Sequence, residues 1–152
     1  MELFRISRTK YGSELTGKGA ALKGARWNSV GVEVIYTATN RSLAMAEVAV
    51  HIPVSMMPDD SEMLTLYVPD DLTMTQITPD QLKSGWNMHP PLKFTQLIGD
   101  QFILNREFCL MKVPSAVTKG DYNMMINPHH PEFQQINIVH TEEFMFDRRL
   151  FE

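Results

Sequence analysis

A glutamate within an apolar helical stretch is the residue of this sequence most able to carry chemistry. From position 43 to position 52 only Glu47 and His51 are not apolar. A carboxylate buried among apolar side chains destabilises the fold unless it is paired or faces a polar cavity. Two interpretations of Glu47 therefore stay open: a structural one, in which it pairs with a buried cation or lies at a helix edge, and a functional one, in which it faces a ligand pocket.

Histidines offer a second kind of chemistry. His51 follows Glu47 by four residues, so a helix places both on one face. Such a pair could form a catalytic dyad or half of a metal site, but no His-Glu-x-x-His spacing accompanies it. Adjacent His129 and His130 predict a solvated turn, because neighbouring side chains diverge. A metal-dependent hydrolase using His51, His129, His130 or His140 is the weakest alternative, and we expect no metal at the site.

Three further side chains could contact a ligand. Arg26 follows Gly24-Ala25, and a guanidinium beside a glycine suits a phosphate group, although a surface arginine fits equally well. Ser115 follows an apolar strand without any Gly-x-Ser-x-Gly pattern, which favours ligand binding or a turn over a nucleophile. Tyr36 has the pattern of a core tyrosine whose hydroxyl reaches a polar partner.

Composition limits the class of protein that can hold these residues. The 152 residues predict one domain over 1–152, and 43% hydrophobic with 21% charged residues excludes a disordered or fibrous chain. A net charge of −4 argues against direct nucleic-acid binding. Cys109 is the single cysteine, which predicts a buried thiol. Without a signal-like start or an apolar run of about 20 residues, we expect a cytoplasmic protein that does not insert into membranes.

The elements that must position these residues alternate between strands and helices. Asn40 or Ser42 can cap a helix over 42–52 that we expect to be buried on nearly every side, and a second helix is predicted over 93–105. Residues 8–24 predict a long loop, and residues 70–91 mostly connection. Strands are predicted at 3–7, 32–38, 63–68, 108–113, 124–126, 136–139 and 143–146. This mixture predicts an α+β or mixed α/β fold.

Taken in order, the motifs resemble those of the RES domain family. The opening half contains Gly24-Ala25-Arg26-Trp27-Asn28-Ser29, then Val34-Ile35-Tyr36-Thr37-Ala38, then Ser42-Leu43-Ala44-x-x-Glu47-x-x-x-His51. Later motifs are Gly85-Trp86, Thr95-Gln96-x-Ile98-Gly99-Asp100, Val113-Pro114-Ser115-Ala116-Val117 and Asp121-Tyr122-Asn123-x-x-Ile126-Asn127-Pro128. The resemblance covers nearly the whole chain. It implies a single compact domain similar to ADP-ribosyltransferase toxins of the diphtheria type.

The resemblance also implies an activity and a set of residues. RES proteins are toxins of bacterial type II toxin–antitoxin systems that degrade NAD+, by hydrolysis or by phosphorolysis with inorganic phosphate as the acceptor. NAD+ is then the substrate and no cofactor is needed. Matched by motif, the catalytic residues are Arg26, Tyr36 and Glu47. The residues implied to line the NAD+ pocket are Trp27, Asn28, Ser115 and Asn127.

This chemistry suits the residues singled out above. Cleavage between nicotinamide and ribose passes through an oxocarbenium-like cation, as glycoside cleavage does. Glu47 would stabilise that cation, Arg26 would hold the pyrophosphate or an incoming phosphate, and Tyr36 would pack on the nicotinamide or ribose. Nicotinamide leaves as a neutral base, so little acid catalysis is required.

Partners and rival functions follow from the same comparison. The resemblance implies an antitoxin with a helix-turn-helix DNA-binding domain and a segment that plugs the pocket, and it makes a homodimer plausible. One rival is a protein ADP-ribosyltransferase with the same pocket, although Met45 replaces the second acid of arginine-directed enzymes. Another is a non-enzymatic interaction module, whose partner surface would use methionines and the aromatic residues Phe144, Phe146 and Phe151.

Overall fold

A seven-stranded sheet carries the fold, in the order β4-β5-β6-β2-β1-β3-β7. The structure is a computed structural model that describes residues 1–11 and 14–152. The strands are β1 (Glu2–Arg8), β2 (Ile35–Ala38), β3 (Ser61–Tyr67), β4 (Met74–Gln76), β5 (Leu110–Pro114), β6 (Tyr122–Ile126) and β7 (Asn137–Phe144). Only β4 and β5 pair in parallel; the other pairs are antiparallel. The α-helices are α1 (Lys18–Lys23), α2 (Arg41–Ala49) and α3 (Lys93–Asn105).

The sheet separates two apolar layers. On one face, Leu43 and Ala44 of α2 pack on a cluster formed by Phe4, Ala38 and Met63. Further along this face, α3 and the segment before β2 cover the side chains of Met111, Val113 and Met125. The opposite face is covered by loops and short helical turns, over Leu3, Ile35, Leu64, Leu66, Leu110, Met124 and Ile126. Helices α2 and α3 therefore lie on the same face, on either side of the strand pair β2–β6.

Helix α2 begins where the sequence predicts. The Asn40 side chain accepts a hydrogen bond from the Leu43 N–H at 2.8 Å, which caps the first turn. The expectation that this helix is buried on nearly every side is wrong. Only Leu43 and Ala44 are buried, and Val50 just beyond the helix is 58% exposed. One side meets the sheet, and its other apolar side chains stay partly open to solvent.

Other sequence predictions meet mixed outcomes. The predicted helix over 93–105 is confirmed as α3, and the buried thiol of Cys109 is confirmed, with burial raising its pKa to about 12. The predicted loop 8–24 contains helix α1, while Gly12 and Ser13 lie outside the described residues. Strand β4 was predicted as connection, and its three residues form a strand only by pairing with β5.

Strand β7 replaces two predicted short strands by one. It runs unbroken from Asn137 to Phe144 and pairs along its length with β3. The sequence pattern does not predict a strand over the polar run His140-Thr141-Glu142-Glu143. Both faces of the strand are largely exposed at the sheet edge, so no apolar face is needed there. The longest helix, α3, has 13 residues, and within the described ranges no helix is long and apolar enough to cross a membrane.

Candidate active site

Glu47 lies where α2 faces β6 and the end of β5. Its Oε1 accepts two hydrogen bonds of 2.6 Å, one from the Ser115 hydroxyl and one from the Asn123 side-chain amide. Among residues 1–11 and 14–152 no lysine or arginine forms an ion pair with it. The ion-pair interpretation of Glu47 is therefore wrong. Two neutral donors hold one oxygen of a partly exposed carboxylate and leave its charge uncompensated.

Ser115 is fully engaged in holding this carboxylate. Its hydroxyl donates to Glu47 and accepts from the N–H groups of Val117 and Thr118 at 3.1 and 3.0 Å. A serine hydroxyl has one donor and two acceptor positions, so all three are used. The side chain is 4% exposed. Ser115 fits a positioning group rather than a nucleophile.

Arg26 lies near Glu47 without contacting it. Its Nη1 donates to the carbonyl oxygens of Trp86 and Met88 at 2.7 and 2.9 Å. Burial lowers the pKa of Arg26, and the negative charge of Glu47 partly offsets this by raising it. The other guanidinium nitrogens make no hydrogen bond within the described part of the chain. They remain available to a bound anion, for which guanidinium geometry is suited.

Tyr36 supports the segment that carries Arg26. Its hydroxyl donates to Asn28 Oδ1 at 2.6 Å and accepts from the Trp27 N–H at 3.0 Å. Burial raises the pKa of the phenol, which therefore stays protonated and able to donate. This arrangement is the core tyrosine with a polar partner that its pattern predicts. A contact of its ring with nicotinamide or ribose stays a prediction.

Trp27 and Asn28 follow Arg26 in the chain, and both are buried. Trp27 is 3% exposed and Asn28 is 0% exposed. The Asn28 amide donates to the carbonyl oxygens of Ala20 and Val32 at 2.8 and 3.0 Å, so its polar atoms are satisfied inside the protein. Internal packing and hydrogen bonds use both side chains in this structure, and their contact with NAD+ stays a prediction. Both side chains help to position Arg26.

Helix α3 fixes the same segment from the other side. Asp100 accepts hydrogen bonds from the N–H and hydroxyl of Ser29 at 2.9 and 2.6 Å. Gly99 packs so closely on the segment that an added Cβ would lie 1.6 Å from the Trp27 carbonyl oxygen. The motif Gly99-Asp100 thus fixes the backbone segment that contains Arg26.

Replacing Gly99 by alanine is expected to lower the free energy of unfolding by about 3 kcal/mol or more, because the new methyl group collides with backbone. Gly19→Ala is the matched control. A Cβ there meets nothing within 4 Å, and alanine favours helix α1 by about 0.5 kcal/mol. Thermal unfolding of both variants checks this. Equal melting temperatures for Gly99→Ala and the wild-type chain would contradict the close approach.

Asn127 lies at the opposite end of β6 from Glu47, so the structure does not join it to the other predicted site residues. Its amide donates to the Ile103 carbonyl at 3.2 Å and its oxygen accepts from the His129 N–H at 2.9 Å. Four residues of strand separate it from Asn123, which is roughly 13 Å. Asn123, and not Asn127, is the asparagine that contacts Glu47. A contact of Asn127 with NAD+ stays a prediction. The sequence feature that could have pointed to Asn123 is its place as a polar residue directly before the apolar run 124–126.

The candidate histidines do not assemble. His51 makes no hydrogen bond to Glu47 within the described ranges, and its ring centroid lies 6.2 Å from that of His89. Burial and then His89 lower the pKa of His51, while Glu47 raises it. His140 lies in edge strand β7, and His129 lies in the turn after β6. The four histidines considered for a metal centre thus lie in three separate regions, since only the neighbours His129 and His130 share the turn after β6.

One cluster does bring metal-ligating atoms together. Ligand atoms of Cys109, His130 and Glu132 lie within 4.8 Å of one another, at the end of β5 remote from Ser115. Glu132 already accepts hydrogen bonds from the N–H and hydroxyl of Thr73 at 2.9 and 2.7 Å. The high pKa of the Cys109 thiol keeps it protonated. These contacts tie the approach to β4 to the turn after β6.

Comparison with known proteins gives a consistent result. The RES domain family model matches residues 2–147. "Prs ADP-ribosylating toxin" of Sphingobium sp. (strain YBL2) is 32% identical over 146 residues, 95% of this chain and 91% of that protein. "Toxin Res" of Photorhabdus laumondii subsp. laumondii is 34% identical over 152 residues, 99% of this chain and 97% of that protein.

The fold recurs in a solved toxin–antitoxin complex. A chain in the crystal structure of the M. tuberculosis MbcT–MbcA complex matches with a TM-score of 0.75 at 18% identity, covering 99% of this chain and 86% of that chain. The prediction of a single domain with a mixed α/β fold agrees with the seven-stranded sheet and three α-helices described above and with this structural match. The family match spans every strand, and within it Ser115 contacts Glu47 while Arg26 lies near enough for the Glu47 charge to raise its pKa. The chain belongs to the RES domain family.

Proposed function

We propose that this chain is the toxin of a toxin–antitoxin pair and cleaves the nicotinamide–ribose bond of NAD+. Family membership and the toxin names of its relatives support the first part. One observation supports the second part. Ser115 and Asn123 hold the Glu47 carboxylate by hydrogen bonds, and within the described residues it forms no ion pair, although the Arg26 guanidinium lies near it. A preorganised negative charge is suited to a cation that develops during reaction.

Glu47 is the group that stabilises the transition state. As the bond from ribose C1′ to the nicotinamide nitrogen breaks, its electron pair leaves with nicotinamide, and positive charge develops on the ribose ring. The Glu47 oxygen that is not bonded to Ser115 or Asn123 faces that charge or holds a ribose hydroxyl. The acceptor oxygen, from water or phosphate, then forms a bond to C1′ and completes the exchange.

Arg26 binds the anionic part of the reactants. Its Nη1 is anchored to two main-chain carbonyls, so the remaining guanidinium edge is presented in a fixed orientation. Such an edge suits bidentate contact with the NAD+ pyrophosphate or with an incoming phosphate. Tyr36, Asn28 and Asp100 keep the segment of Arg26 in place.

The test is to incubate the purified chain with NAD+ and measure free nicotinamide, with and without inorganic phosphate. We expect nicotinamide release in at least one condition. ADP-ribose as the product identifies hydrolysis, and a phosphorylated ADP-ribose with a phosphate-stimulated rate identifies phosphorolysis. Absence of nicotinamide in both conditions contradicts the proposal.

Protein ADP-ribosylation is the second candidate, favoured by the name of the Sphingobium relative. The same cleft would then transfer ADP-ribose to a protein side chain in place of water or phosphate. NAD+ labelled in its adenylate half separates the two: label on a protein band identifies transfer, and label in free products identifies cleavage alone.

An antitoxin is the proposed partner, because the M. tuberculosis neighbour is itself part of a toxin–antitoxin complex. We assign DNA binding to that partner's helix-turn-helix domain, which agrees with the net charge of −4 here. Expression of this chain alone should lower cellular NAD+ and slow growth, and co-expression of the neighbouring gene's product should restore both. A homodimer is a further proposal, and sedimentation of the purified chain tests it.

A further inference from the structure

We infer that Asn123 is a positioning residue for the Glu47 carboxylate, an inference that rests on the proposed function. Asn123 lies in β6, where its Cα pairs with Ala38 of β2 and Val113 of β5. It therefore shares the sheet face over which α2 packs. Its Nδ2 reaches Glu47 Oε1 at 2.6 Å across a sequence separation of 76 residues.

The unused half of the Asn123 amide supports this assignment. Its Oδ1 is buried and has no hydrogen-bond partner within residues 1–11 and 14–152, while the residue as a whole is 9% exposed. A buried acceptor without a partner destabilises a fold. The opposite orientation of the amide would place Oδ1 against Glu47 Oε1, two acceptors facing each other. Contact with Glu47 therefore sets the orientation of the amide.

Asn123 and Ser115 together define which carboxylate oxygen can act. Both donate to Oε1, one from β6 and one from the residue after β5, so this oxygen is held from two elements and the other oxygen is left for a ligand. Because both donors are neutral, they orient Glu47 without cancelling its charge. The charged or titratable groups that influence Glu47 from other directions are Arg26 and, one turn further along the chain, His51.

Two substitutions separate positioning from packing. Asn123→Leu keeps a similar volume and removes both the donor and the unpartnered acceptor. We expect kcat for nicotinamide release to fall about 10- to 100-fold, with KM for NAD+ within about twofold and no loss of thermal stability. A merely structural role predicts the reverse: lower stability and an unchanged kcat in the folded fraction.

Asn123→Asp gives a distinct signature in the pH profile. Two carboxyl groups at hydrogen-bond distance share a proton, since they resist ionising together. The acid limb of kcat should therefore move to higher pH by about one unit or more, because Glu47 acts in its charged form. Asn137→Asp, an exposed change of equal charge on β7, should leave the limb in place. An unmoved limb in Asn123→Asp with a kcat within twofold in Asn123→Leu overturns the inference.

Wild-type behaviour distinguishes this inference from the proposed function. If the wild-type chain releases no nicotinamide, the proposed function fails, and nuclear magnetic resonance of the wild-type chain then decides the role of Asn123. Its side-chain amide signals should shift on Glu47→Gln substitution. Unchanged signals overturn the contact, whether or not the Asn123 variants fold.

Discussion

Glu47→Gln should lower the rate of nicotinamide release by about 100-fold or more while leaving the fold intact. Glutamine has nearly the same shape, and its amide oxygen can still accept from Ser115 and Asn123, so both hydrogen bonds of 2.6 Å have a counterpart in the variant. The lost quantity is the negative charge. Only the transition state carries the ribose cation, so kcat should fall far more than KM rises.

The measurement is steady-state nicotinamide release at saturating NAD+, together with thermal unfolding of the same samples. Glu143→Gln is the matched control, since it removes a carboxylate from the exposed strand β7 and should leave the rate unchanged. A rate for Glu47→Gln within tenfold of wild type would show that the charge is not used. Glu47 would then have no charge-dependent role in the proposed cleavage.

Arg26→Lys should raise KM for NAD+, or for phosphate in a phosphorolytic reaction, by about 10- to 100-fold. Lysine retains the positive charge but lacks the planar guanidinium. In Arg26 that group donates to the carbonyl oxygens of Trp86 and Met88 and still presents a second edge to an anion. The defect should therefore lie in binding geometry, in contrast to the defect in charge expected at Glu47.

Titration of each reactant at fixed enzyme concentration separates these effects. Arg148→Lys, on an exposed turn near the end of the chain, is the control and should retain wild-type constants. Unaltered KM for both reactants in Arg26→Lys would remove Arg26 from the binding site. The result would then favour the surface-arginine interpretation that its sequence context alone permits.

The sequence by itself determined the parts of the protein that depend on local pattern. The start of α2 follows from the capping side chain of Asn40, and the helix over 93–105 begins just after Pro90-Pro91. Glu47 could be singled out in the sequence because a charged side chain among apolar residues destabilises the fold unless it is paired or faces a polar cavity. The motif resemblance located Arg26 and Ser115, and the structure places both near Glu47.

Tertiary structure alone decided which polar groups meet. Ser115 and Asn123 reach Glu47 across 68 and 76 residues. The position of Asn123 before the apolar run of β6 does not by itself decide whether Asn123 or Asn127 meets Glu47. Strand pairing makes that choice, since register puts one asparagine beneath α2 and the other at the far end of the strand. The short strand β4 depends in the same way on its pairing with β5, because three residues gain stable strand structure only from a neighbour.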